Sequence, residues 1–101
     1  MSKIFITASE KQILQNILKG TYEVYVFGSR VKGTHRKFSD LDICLKGDNK
    51  ISPSEIFQIR SALSDSNLPF KVDLLDYQQL SEEFKALIDA DGVELNEAEI
   101  V

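Results

Sequence analysis

The stretch Val26-Phe27-Gly28-Ser29-Arg30-Val31-Lys32-Gly33-Thr34-His35-Arg36-Lys37-Phe38-Ser39-Asp40-Leu41-Asp42 decides the fold. It reads as the end of a strand, a Gly-Ser turn, a basic loop and a second strand that opens on two carboxylates. Gly28 has no Cβ, so its backbone can come close to a ligand. The Ser29 hydroxyl and the amides of the next turn can donate to phosphate oxygens, as at a helix N-terminus. Gly33 permits the exit turn. Arg30, Lys32, Arg36 and Lys37 add positive charge, and no acid interrupts Arg30 to Lys37. Side chains alternate along a strand, so Asp40, Asp42 and Cys44 share one face while Leu41, Ile43 and Leu45 share the other. The two carboxylates then lie about 7 Å apart along the strand, close enough to converge on one cation. A phosphate cradle followed by paired acids is the equipment for moving a nucleotide out of a triphosphate.

Outward from this stretch the chain alternates helices and strands. Thr7 and Glu10 have capping-box spacing, and Ile13, Leu14, Ile17 and Leu18 follow at helical intervals. They predict a helix from about Ala8 to Lys19, ended by Gly20. Tyr22 to Phe27 is β-branched and aromatic, a strand pattern. Ser29 to Gly33 fits a short helical turn, and Asp40 to Leu45 a second strand. Ser52-Pro53-Ser54-Glu55 is a helix start with cap, proline and glutamate in place. The helix runs to about Ser66 with Ile56, Phe57, Ile59 and Leu63 as its buried stripe. Phe70 to Leu75 is a third strand. Ser81 begins a last helix bearing Phe84, Leu87 and Ile88 and ended by Gly92. Val93 and Leu95 fit a short edge strand. The expected fold is α+β, a small mixed β-sheet with helices on one face, in a single domain spanning 1–101.

A third acid belongs to the same constellation. In Phe70-Lys71-Val72-Asp73-Leu74-Leu75-Asp76, the apolar face is Phe70, Val72 and Leu74, and Asp73 lies on the opposite face. Asp76 falls on the apolar side at the strand end, which suits a turn or cap. If the third strand pairs beside the second, Asp73 joins Asp40 and Asp42. Three converging carboxylates resist ionisation without a counter-charge. Oxygen donors without His or Cys select a hard cation, Mg²⁺ or Mn²⁺. Two such ions about 4 Å apart clamp the attacking and leaving oxygens of an in-line displacement. Asp40 and Asp42 would bridge the ions, and Asp73 would hold the one nearer the acceptor hydroxyl and help take its proton. A Gly-Ser pair or a lone Asp-x-Asp is commonplace; their spacing, flanking strands and in-phase third acid carry the inference.

Composition narrows the partners. The net charge of −4 over 101 residues argues against general nucleic-acid binding, which needs a basic field. Seven acids follow from Glu82 onward against one base, Lys85, a stretch that reads as a solvated face. The single Cys44 excludes an internal disulfide and fits a buried thiol. No signal peptide and no membrane-spanning run is visible, so a cytoplasmic protein is expected. His35, the only histidine, is not expected to bind metal.

These residues resemble a known signature. Gly28-Ser29, ten residues, then Asp40-Leu41-Asp42 is similar to the motif of minimal nucleotidyltransferases, a branch of the DNA polymerase beta-like superfamily. The wider strings Phe27 to Gly33 and Ser39 to Ile43 match closely, and Val72-Asp73-Leu74-Leu75 resembles the strand of the third carboxylate. The resemblance implies a metal-dependent enzyme that transfers a nucleoside monophosphate, AMP from ATP, to a hydroxyl. Asp40, Asp42 and Asp73 would be the catalytic and metal-binding residues, and Gly28, Ser29 and Arg30 the nucleotide-binding ones. Larger relatives carry further domains that hold the acceptor, so the acceptor site is expected on a partner. In the minimal family that partner is a separate all-helical HEPN-type subunit, and the pair forms a toxin–antitoxin system in which the toxin is modified on tyrosine. Alternatives are the catalytic subunit of a two-component aminoglycoside-like nucleotidyltransferase and an antitoxin that acts by docking alone.

Overall fold

A computed structural model describes residues 3–100. Along the chain run β1 (Lys3–Ile4), α1 (Ala8–Ile17), β2 (Tyr22–Phe27), α2 (Ser29–Lys32), β3 (Leu41–Gly47) and α3 (Pro53–Ser64). There follow β4 (Val72–Asp76), a 3₁₀ turn (Tyr77–Gln79), α4 (Glu82–Asp91), β5 (Val93–Glu94) and β6 (Glu99–Ile100). The helix starts follow from local chemistry. The Thr7 hydroxyl accepts from Glu10 N at 3.1 Å while Glu10 Oε1 accepts from Thr7 N at 2.8 Å, closing the expected capping box. Ser52 caps α3 by accepting from Glu55 N at 3.1 Å, with Pro53 in the first turn.

The main sheet has the order β4-β3-β2-β5. β3 runs antiparallel to β2 and parallel to β4. A parallel pair needs a crossover, and α3 supplies it. Leu41, Ile43 and Leu45 are fully buried on one face of β3, against Leu14 and Leu18 of the first helical segment and Ile59 and Leu63 of α3. The α+β fold with a small mixed sheet is therefore as the strand phases predict, and α1 and α3 cover one face.

Four features depart from the sequence expectation. α4 lies on the other face, where Phe84 packs edge-on against Phe27 and Lys46 Nζ donates to Asp89 Oδ1 at 3.0 Å. That cover explains why Cys44 is fully buried on the face that also bears the acids. Phe57 is 71% exposed rather than part of the buried stripe of α3, because it sits next to Ile56 and falls off the face set by Ile59 and Leu63. β1 and β6 form an unforeseen parallel pair two residues long, too short for any periodicity to show. The acidic stretch also turns out to be anchored. Leu95 and Ala98 are buried, and the Ala98 carbonyl accepts from Lys11 Nζ at 3.2 Å, while Glu97 and Glu99 face solvent. Among the described residues no helix is long and apolar enough to cross a membrane.

Asp76 ties the sheet to its surroundings. It is buried, with Oδ2 accepting from Ile51 N at 2.8 Å and Oδ1 from Gln78 N at 3.1 Å. Asp76→Ala strands these donors and is expected to destabilise the protein by about 1–3 kcal/mol in urea unfolding. Asp76→Asn, which keeps one acceptor, is expected to cost less.

Candidate functional site

The register of three strands builds the site. Asp42 stands opposite Phe27 on β2 and opposite Asp73 on β4, so all three side chains leave the sheet on one face. Asp42 and Asp73 are hydrogen-bonded neighbours, and this proximity has an electrostatic consequence. The Asp42 carboxyl is held above the ordinary carboxylate range, first by its burial and then by the negative charges of Asp73 and Asp40 and the hydrogen bond with Asp73. Asp40 is exposed in the coil just ahead of β3. Among the described residues no three acids, histidines or cysteines already stand close enough to cage a metal ion. The structure thus joins Asp42 and Asp73 as a pair and leaves Asp40 within electrostatic reach beside them. The negative charges of Asp73 and Asp40 beside Asp42 form a donor set whose repulsion a hard cation would relieve, so these residues fit such an ion.

Gly28 carries more of this arrangement than phosphate access. Its backbone has φ +81°, ψ −152°, a conformation that only glycine adopts readily. A Cβ there would fall onto Asp42 Oδ2, so the bare backbone makes the room in which the carboxylate sits. Ser29 follows as the first residue of α2, where the leading N–H groups lack intrahelical acceptors. No side chain or backbone group among the described residues hydrogen-bonds the Ser29 hydroxyl. Lys32, Arg36 and Lys37 are exposed.

Arg30 turns inward. It was expected beside the nucleotide, yet it is 5% exposed and its guanidinium donates to the carbonyls of Phe5, Lys37 and Ser39. In this arrangement its donors are directed to backbone carbonyls. His35 likewise packs, its ring 5.4 Å from that of Phe5.

A groove of about 820 Å³ opens over the acid pair, within the usual range of small-molecule sites of about 300–1,000 Å³. Asp42, Asp73, Phe27 and Phe84 line it, together with Arg60 and Ser64 of α3 and Lys71. Arg60 and Phe84 were not foreseen as site residues. Each is one residue of an amphipathic helix, and only the packing of α3 and α4 brings them to the groove.

Comparison with known proteins gives this geometry a family. The sequence pattern of the family described as polymerase beta, nucleotidyltransferase, matches residues 8–99. The chain belongs to that family. A protein of Haemophilus influenzae named "Probable protein adenylyltransferase MntA" is 41% identical over 78 residues, which cover 77% of this chain and 68% of that protein. Two solved structures share the fold. A toxin–antitoxin crystal structure with AMP-PNP superimposes with a TM-score of 0.69 at 24% identity, covering 88% of this chain and 73% of that one. A tri-AMPylated Shewanella oneidensis HEPN toxin in complex with an MNT antitoxin gives a TM-score of 0.57 at 19% identity, covering 86% and 66%.

Two outcomes follow from the pair and its glycine. A folded-state carboxyl held above its ordinary value means that the folded protein binds the extra proton, so stability falls as pH rises from the ordinary carboxylate range through the raised Asp42 value. Asp73→Asn removes the main repelling charge. In EDTA at pH 7 it is expected to melt a few degrees above the native protein, with the gain vanishing at acid pH where Asp42 is protonated. Gly28→Ala combines an unfavourable φ with a clash on Asp42 and is expected to lose about 1–3 kcal/mol in urea unfolding.

Proposed function

We propose that this protein is an adenylyltransferase that moves AMP from ATP to a hydroxyl of a HEPN-type partner, a tyrosine of the toxin, and so acts as its antitoxin. The observation that carries the reading is the convergence of Asp42 and Asp73 beside the Gly28-Ser29 turn. The identity with a protein named an adenylyltransferase supports AMP as the transferred group, and the AMPylated HEPN toxin of a structure with this fold supports the acceptor.

In this reading the Ser29 hydroxyl and the free N–H groups at the start of α2 receive the triphosphate. Lys32, Arg36 and Lys37 neutralise its charge from the solvent side. Asp40, Asp42 and Asp73 would hold Mg²⁺ or Mn²⁺, two ions in all, and bound ions would supply charge stabilisation at the transferring phosphorus. The acceptor oxygen bonds to the α-phosphorus and its proton passes to Asp73. The bond from that phosphorus to the α–β bridging oxygen breaks, and pyrophosphate leaves. Much of the acceleration comes from holding donor and acceptor in line.

The test is incubation of the protein with α-labelled ATP, Mg²⁺ and its HEPN partner. The native protein is expected to label the partner, and Asp42→Asn to do so at least about a hundredfold more slowly. Equal labelling by the variant would remove Asp42 from the chemistry, and no labelling by the native protein would remove AMP transfer itself.

A further inference from the structure

The two acid-bearing strands begin at one buried cation. β3 is approached through Lys37 and Ser39, and β4 through Phe70 and Lys71. The Ser39 carbonyl, immediately before Asp40, accepts from Arg30 Nε at 3.2 Å and from Nη2 at 3.1 Å. The Lys37 carbonyl accepts from Nη2 at 3.3 Å and the Phe5 carbonyl from Nη1 at 3.0 Å. The guanidinium carbon lies 4.3 Å from the centre of the Phe70 ring, three residues before Asp73. Next to this contact Leu41 N donates to the Lys71 carbonyl at 2.9 Å, joining the starts of the two strands. Arg30 itself is the second residue of α2, so the same side chain is rooted in the Gly28-Ser29 turn. The Phe5 backbone closes the arrangement by donating to the Arg30 carbonyl at 2.8 Å.

We propose that Arg30 is the positioning residue of the acid site: its guanidinium fixes the backbone ahead of Asp40 and the ring ahead of Asp73 relative to the Gly28-Ser29 turn, and so sets the spacing of the carboxylates for a divalent cation. The identification of the cation's role rests on the proposed function, but the positioning role is read from binding as well. The chemistry demands arginine. Three carbonyls in different directions are met by a planar fork of five N–H donors, and the flat face is left to stack on Phe70. Lysine keeps the charge but offers one compact ammonium, which cannot span these acceptors and stack at once. The loop from Thr34 to Ser39 has no strand or helix of its own, so these hydrogen bonds, with the two between Arg36 and Ser39, hold the backbone just ahead of Asp40.

The experiment compares the native protein with Arg30→Lys and Phe70→Leu, the latter keeping an apolar side chain but removing the stacking ring. Folding is followed by circular dichroism, Mn²⁺ affinity by electron paramagnetic resonance with Mn²⁺ alone, and transfer with ATP and the HEPN partner. Arg30→Lys is expected to fold, to bind Mn²⁺ at least tenfold more weakly, and to lower kcat at least thirtyfold with KM for ATP within threefold. Phe70→Leu is expected to weaken Mn²⁺ at least threefold. A folded Arg30→Lys with native Mn²⁺ affinity overturns the proposal, as does a rise in KM for ATP alone, which would mark Arg30 as a phosphate contact. Should Arg30→Lys not fold, a folded Phe70→Leu with native Mn²⁺ affinity overturns it instead. Absence of AMP transfer by the native protein would count against the proposed function and leave the Mn²⁺ comparison to judge Arg30.

Discussion

Two carboxylates held side by side on adjacent strands are the constraint around which this molecule is arranged. Asp42 and Asp73 face one another because β3 and β4 are parallel and in register, and that register is locked from behind by Leu41, Ile43 and Leu45 against the helices. A slip of β3 by one residue would turn Asp42 toward the core and Leu41, Ile43 and Leu45 away from it. The repulsion that raises the proton affinity of Asp42 is thus held in place by hydrophobic burial several times larger than any single ion pair at a surface. The pair is tolerable in a small domain because Asp73 stays solvent-exposed while Asp42 is only half-buried.

The chain resolves its crowding with absence as much as with contact. The missing side chain at Gly28 gives Asp42 Oδ2 its place, and the same residue's positive φ starts α2 directly after the strand. The turn that would meet a triphosphate and the carboxylate that would meet its cation are therefore one local structure. The peptide at Gly28 belongs to both.

Much of this was legible from strand phase. Alternation along β3 and β4 separates Asp42 and Asp73 from the core and assigns Asp76 to it, because a period of two leaves no third option. Caps at Thr7, Ser52 and Ser81 are equally local, and the helices begin where their side chains accept the first amides. What sequence did not disclose is what tertiary packing alone decides. The side on which α4 lies is marked by Phe84 against Phe27 and Asp89 against Lys46, and helical periodicity says that a face is buried but not against what. The burial of Arg30 was not legible because charge in a sequence carries no burial. Among four basic residues of one loop, only the packing of Phe70 and the carbonyls of Phe5, Lys37 and Ser39 single out the one that turns inward.

That division of labour among the basic residues has a physical reason. A cation required to organise backbone must be buried, fully hydrogen-bonded and permanently charged, and arginine alone meets all three conditions. A cation required to receive a passing phosphate must remain hydrated and mobile, since its charge is useful only while unpaired. Placing both kinds within one basic segment lets the inner one hold the backbone at Ser39 while the outer ones, Lys32, Arg36 and Lys37, stay exposed. The Arg30 hydrogen bonds to the Ser39 carbonyl hold the residue just ahead of Asp40, whose charge adds to that of Asp73 on Asp42.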